Sequence, residues 1–197
     1  MEKKAIDGQI AFILEADRLK TVTRNTLLTD RSRFENSAEH SWHAALTALI
    51  LFDGVFAKEM DLSRVLKMLL VHDLVEIDAG DLLCYDMDRL RRQKEREAKA
   101  AERIFGLLPG DQRRMLQQLW QEFEAMQTPE SMFANAMDRF QPLLQAIRTR
   151  GQTWLQHGVN KRQILRRMEP IRTALPWLWD HVLEMIENAA EAGYLVP

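Results

Sequence analysis

One cysteine, Cys84, is all the chain has in 197 residues. That excludes an internal disulfide framework and any cysteine-built zinc cluster, and it suits a reducing compartment. Glycine and proline are also sparse, at 8 and 6 residues. They make up about 7% of the chain, against about 12% in an average protein. So few turn formers point to helices joined by short loops. Neither sign of charge dominates, with 27 Lys and Arg against 29 Asp and Glu and a net charge of -2. There is therefore no global field for nucleic acid or anionic lipid. Long hydrophobic runs are missing too. The longest, Ala44–Phe52, is nine residues interrupted by Thr47, whereas a membrane span needs about 20. The stretch Ala11–Leu14 is broken by Glu15 and Asp17, so no secretory signal is read at the start and a cytoplasmic location is expected.

Hydrophobic residues make up 46% of the chain and charged residues 28%, enough apolar matter for one globular core. Nearly every segment repeats at helical period. Ile6–Leu19 carries a stripe of Ile10, Ala11, Ile13 and Leu14. Lys20–Asn36 is irregular and reads as a loop or a short turn of helix. Asn36 or Ser37 caps the next helix, with Glu39 or His40 three positions on. That helix is expected to run to about Met60 in the centre of the fold. Asp61 or Ser63 starts a helix over Arg64–Ile77, closed by Gly80 in a left-handed conformation. The charged Met87–Phe105 stretch alternates in sign and reads as a solvated amphipathic helix, not a polyanion patch. Further helices are expected over Asp111–Met126 and from Pro129 to about Arg150, with Pro142 inside the latter. Gly151–Gly158 reads as a loop, followed by a short helix after Asn160 and a last helix over Pro176–Ala192. No linker or repeat divides the chain. The expectation is one all-α domain over 1–197, with a motif-bearing core at about 17–150 and C-terminal helices 151–197 packed on it.

Chemistry concentrates at His72-Asp73, followed by Glu76, where ionisable groups follow the apolar Leu69-Leu70-Val71. Buried charge needs a partner or a metal, and imidazole with carboxylate suits a divalent transition ion. Alone, the doublet reads sooner as a buried histidine paired to an acid. The larger set is Glu35-Asn36-Ser37-Ala38-Glu39-His40-Ser41, then His72-Asp73-Leu74-Val75-Glu76, then Gly80-Asp81, then Asp138. Together, and in this order, these resemble the motifs of the HD-domain metal-dependent phosphohydrolases. The likeness is to their small single-domain branch, which includes the 5'-deoxynucleotidases. It extends from about Asp17 to Arg148 and takes in Leu19-Lys20, Arg24, Arg33 and the charged Lys94–Glu102 segment.

The resemblance implies a helical bundle holding one divalent metal ion through His40, His72, Asp73 and Asp138. Manganese, cobalt, iron, nickel and zinc all suit such a set. It implies that Glu76 is the catalytic carboxylate, that Asp81 lies near the leaving group or sugar, and that Arg24 and Arg33 bind phosphate. The plainer alternatives are that Arg33 pairs with Glu35 or Glu39, and Asp138 with Arg139 or another cation. His43 falls off the family's ligand positions and reads as a core residue or a support for a ligand. The activity implied is hydrolysis of a phosphate monoester, with a nucleoside 5'-monophosphate as favoured substrate. The alternatives are another phosphate ester, a dinuclear phosphodiesterase, or a non-catalytic module acting through protein contacts. A homodimer fits the resemblance; a membrane or a nucleic acid polymer as partner does not. In the bacterial deoxynucleotidases a tryptophan that helps exclude the ribose 2'-hydroxyl follows the arginine matched by Arg24. Asn25 stands there in this chain, which implies weak discrimination between ribose and deoxyribose. Trp177 and Trp179 read as packing or interface residues, the ten methionines as core filler, and Cys84 as no nucleophile.

Overall fold

A computed structural model describes residues 3–52, 60–82 and 87–196, with the side chains of 87–91 left aside. Cys84 lies outside the described residues, as does the expected helical stretch 53–59. The fold is all-α apart from one small hairpin. In chain order come α1 (Lys3–Ala16), a 3-10 turn (Asp17–Thr21), β1 (Thr23–Leu27), β2 (Phe34–Asn36) and α2 (Ser37–Leu51). Next are α3 (Leu62–Val71), a second 3-10 turn (His72–Val75), α4 (Glu76–Ala79), α5 (Met87–Phe105) and α6 (Gly110–Ala125). The C-terminal part holds α7 (Pro129–Arg148), α8 (Gln152–Gln156), α9 (Lys161–Ala174) and α10 (Pro176–Glu191).

The helix starts follow from their caps. Asn36 accepts from the Glu39 backbone N–H while Glu39 reaches back to the Asn36 N–H, a full capping box. Asp61 caps α3, Thr128 caps α7 with Pro129 behind it, and Asn160 caps α9. The central helix is α7, in which every residue from Phe133 to Asp138 is buried. It packs against α2, α3, α6 and α9. Around it lies the main core, including Ala44, Met68, Leu69, Met137, Leu143, Ile164 and Ile186. A smaller core of Leu19, Val71, Leu74, Val75, Ala100, Ile104 and Phe105 lies beneath α5. Met68 and Leu69 belong to the first core and Leu74 and Val75 to the second, so His72-Asp73 sits at the seam between them.

Several expectations need correction. The stretch read as a loop over 20–36 forms an antiparallel hairpin, pairing Thr23 with Asn36 and Leu27 with Phe34. α2 ends at Leu51, where Phe52 turns to extended backbone, so its cap falls eight residues before Met60. α3 stops at Val71 and tightens into the 3-10 turn instead of running to Ile77. Gln152–Gln156 in the expected loop is a short helix. It follows Gly151, whose φ is +64° and where a Cβ would come within 2.1 Å of the Tyr194 carbonyl oxygen. Only glycine admits both the conformation and the contact. The apolar stripe of α1 is not buried, for Ile10, Ile13 and Leu14 are half or more exposed.

Candidate active site

A cavity of about 380 Å³ opens at the seam, within the range of small-molecule sites. Its lining joins residues from β1 to α9. The hairpin contributes Arg24, Asn25 and Thr26 in succession. Regular alternation would send the middle one to the opposite face. The register shift between Thr23 and Leu27 marks a bulge, which re-aims side chains and lets neighbours share one side. The 3-10 turn supplies His72 and Asp73, α4 supplies Glu76, and α7 supplies Asp138. Gly80, at φ +76° and ψ 154°, turns the chain out of α4 so that Asp81 also reaches the cavity. That conformation is open essentially to glycine alone.

The acceptors here face one another. His72 Nδ1 donates to the Leu69 carbonyl at 2.8 Å, so in the neutral ring Nε2 carries the lone pair. That atom is buried without a hydrogen-bond partner among the described residues. It lies 3.0 Å from Asp73 Oδ1 and 3.5 Å from Asp138 Oδ1. His40 brings its own Nε2 to 2.9 Å from Asp138 Oδ1. One ligand atom each from His40, His72 and Asp73 lies within a 4.8 Å span. Buried lone pairs aimed at carboxylates are costly unless a cation stands between them. A proton is one solution. Burial opposes charge on His72, yet Asp73 and Asp138 prevail and lift it to about 9. Burial likewise opposes charge on Asp138, but its contacts with His40 and His72 hold it well below the usual carboxylate range. A divalent ion is the other solution, and the donor set fits one.

Around this cluster the charges interlock. Arg24 Nη1 donates to Asp73 Oδ2 at 2.9 Å and lies within 4.0 Å of Glu76 and Asp81. Burial disfavours its charge, but those carboxylates raise it further. Glu76 accepts from the Ser37 hydroxyl at 2.6 Å. Burial, reinforced by Asp73, pushes the Glu76 carboxyl well up, against the opposing pull of Arg24. Asp81 accepts from both the backbone and side chain of Asn25, at 3.3 and 3.2 Å.

Six of the eight positions singled out in the sequence line the cavity: Arg24, His72, Asp73, Glu76, Asp81 and Asp138. His40 lies beneath it, fully buried against Asp138. Arg33 does not join them. It is exposed and forks onto Glu39 at 2.6 and 2.8 Å, the pairing left open beside the phosphate reading. Asp138 engages Arg167, at 3.5 Å, beside the two histidines. Sequence reasoning missed Arg167, Gln141, Gln145 and the carboxylates Glu97 and Glu124. Gln141 and Gln145 stand three and seven residues after Asp138, on the buried face of α7, and that spacing was a readable signal. Burial lifts Glu97 to about 7 and Glu124 above its ordinary value. His43 accepts from Gln141 Nε2 at 2.9 Å.

A helical fold with a histidine and carboxylate cluster between its central helices suits a metal-dependent hydrolase. The HD domain profile matches residues 16–179. The chain belongs to the HD domain family. Among curated relatives, it is 30% identical to human "5'-deoxynucleotidase HDDC2" over 138 residues, covering 70% of this chain and 66% of that protein. The mouse protein of the same name is 29% identical over 140 residues, covering 71% and 68%. Among solved structures, a "predicted metal-dependent phosphohydrolase" from Magnetospirillum magnetotacticum superposes with a TM-score of 0.93. It is 44% identical, and the match covers 99% of this chain and 97% of that one. The assignment to metal-dependent phosphohydrolases follows, and with it the expected all-α fold is met.

Proposed function

We propose that this enzyme is a phosphomonoesterase acting on nucleoside 5'-monophosphates, with His40, His72, Asp73 and Asp138 holding one divalent ion. The observation that carries the reading is the orphaned His72 Nε2 aimed at two carboxylates, in a cavity that also holds Arg24 and Glu76. A bound ion would supply Lewis acidity to water and to the phosphoryl group. The remaining work falls to side chains of this chain. Glu76, its carboxyl lifted by burial, orients the attacking water and accepts its proton. The Ser37 hydroxyl fixes which way that carboxylate points. Arg24 is the phosphate-binding cation of the cavity, and Asp81 with Asn25 faces the sugar. The apolar lining of Phe123, Leu143, Trp154 and Met168 suits the flat face of a base. Arg33, paired on the surface, has no part in this reading.

Support for a nucleotide comes from the 5'-deoxynucleotidase relatives, which this chain spans over about two thirds of their length. The test is a phosphate-release screen over nucleotides and simple phosphate esters, with manganese, cobalt, iron, nickel and zinc supplied in turn. Release from nucleoside monophosphates above all other esters is the expected result. AMP and dAMP should differ by less than about 100-fold in kcat/KM, or about 2.7 kcal/mol, because Asn25 carries no bulk against a 2'-hydroxyl. Trp42, Leu46, Leu49 and Ile50 form an exposed apolar face on α2. We read it as the seat of a second copy, with a dimer as the expected result of sedimentation equilibrium. No described helix is long and apolar enough to cross a membrane, in keeping with a cytoplasmic enzyme working as one unit over the whole chain.

A further inference from the structure

We propose that Gln141, oriented by Glu35, is the positioning residue that fixes the tautomer of His40 and thereby presents its Nε2 to the metal. The inference rests on reading the cluster as a metal site. His40 has no exposed surface, so its ring can find partners only within the protein. On the Nδ1 side stand Gln141 Oε1 at 2.7 Å and Glu35 Oε2 at 3.8 Å. Both are acceptors if the amide of Gln141 is turned as drawn, and the neighbours of that amide decide the question.

Gln141 Nε2 lies 3.3 Å from Glu35 Oε1. An ionised carboxylate only accepts, so the amide must present its NH2 to Glu35 and its oxygen to His40. The same NH2 lies 2.9 Å from His43 Nδ1, which accepts in the neutral ring protonated at Nε2. Gln145 Nε2 donates to the same Glu35 oxygen at 2.8 Å and holds the carboxylate in place. Glu35 is itself 1% exposed, and its other oxygen faces Arg24 Nε at 3.7 Å. Reversing the Gln141 amide would aim its carbonyl at the Glu35 carboxylate and at the His43 Nδ1 lone pair. Such a mismatch in a buried site costs the full desolvation of each group left unpaired.

The chain of choices therefore runs in one direction. Glu35 fixes the amide, the amide fixes the proton on His40 Nδ1, and the lone pair is left on Nε2, beside Asp138 and His72. His72 obtains the same result from a backbone carbonyl, Leu69 O, which no substitution can remove. His40 depends on a side chain, and the two ligands differ in that respect. Partners of this kind on metal-bound histidines commonly carry a 10- to 100-fold effect on metal affinity.

Zinc binding and the zinc-loaded spectrum test this. Affinity is measured by competition with a chromophoric chelator, and the His40 tautomer by long-range 1H–15N correlation. Wild-type protein should show His40 protonated at Nδ1. Gln141→Met keeps the length but removes the acceptor, and should weaken zinc binding about 10- to 100-fold. The exchange Glu35→Gln with Gln141→Glu keeps an acceptor towards Nδ1 and an amide donor beside it, and should return affinity to within a few-fold of wild type, with the Nδ1–H signal retained. Wild-type affinity in Gln141→Met overturns the inference, as does the exchanged pair falling as far as Gln141→Met. Should Gln141→Met fail to fold, Glu35→Gln takes its place. It frees the amide to reverse and should weaken zinc binding in the same direction; unchanged affinity there overturns the inference. A wild-type chain that takes up no zinc overturns the metal reading itself, whereas equal binding by wild type and variants overturns the inference alone.

Discussion

The two sides of the His40 ring make different kinds of buried polar environment. On the Nδ1 side, amide groups from Gln141 and Gln145 meet the Glu35 carboxylate, and each N–H found there points at an acceptor. On the Nε2 side, lone pairs and carboxylate oxygens converge from His72, Asp73 and Asp138. On the first side the amide donors meet acceptors, with Glu35 Oε2 and Gln145 Oε1 left unbonded among the described residues, whereas the second side calls for a cation. The difference teaches how to tell a scaffold from a site when both are buried and polar. A scaffold matches donors to acceptors, while a site leaves like groups facing each other across a space.

Breaking the cation-requiring side should have the largest effect. His72→Ala or Asp138→Ala should lose stoichiometric metal, as elemental analysis of chelator-free protein would show, and phosphatase activity with it. Equal metal in the variants would undo the contrast between the two sides. Next comes Glu76, which borders the same side without being one of the four ligands. Glu76→Gln should keep the metal and cost about 10²- to 10⁴-fold in kcat; turnover at the wild-type rate would leave the reaction without its proton acceptor.

A finer probe is the Ser37 hydroxyl, which stabilises the ionised form of Glu76 and so lowers its pKa. In the proposed mechanism Glu76 acts unprotonated, so Ser37→Ala should move the acidic limb of the rate profile to higher pH. An unmoved limb would remove Ser37 from the mechanism. The smallest effect is expected at Glu97, where burial raises the folded-state pKa from 4.5 to about 7. The folded chain then binds the proton more tightly than the unfolded one, so stability is full at low pH and falls as pH rises through this window. Glu97→Gln should flatten that slope in urea melts between pH 5 and 8. After allowance for solvent screening the gain at pH 8 should be roughly 1 kcal/mol.

Much of the scaffold was legible because helix starts are local. Asn36 with Glu39, Asp61, Thr128 with Pro129, and Asn160 each announce themselves within four residues. The hairpin was not legible, since Thr23 and Asn36 are paired across twelve residues of mostly polar sequence with a bulge in the register. The stripe on α1 was visible, but periodicity says only that a face exists and not what covers it. The contrast with α7 makes the point: it buries a dozen side chains while α1 buries none. At the site, residue types and order pointed to one cavity for all but Arg33 and the buried His40. The amide relay was legible only as a spacing, because glutamine carries no chemical signature of its own. Only its neighbours give Gln141 a direction.

The tightening of the helix at His72 sets a limit on how this enzyme can vary. An α-helix advances about 100° per residue and a 3-10 turn about 120°. Between His72 and Glu76 the chain makes that change of pitch inside five residues. Removing or adding one residue there would swing Glu76 by about a third of a turn, away from Ser37 and Arg24, while leaving the composition of the site intact. Substitutions within Leu74-Val75 meet only the packing tolerance of the small core. Changes in length meet the phase of the screw, and in this segment sequence space is open in identity but closed in number.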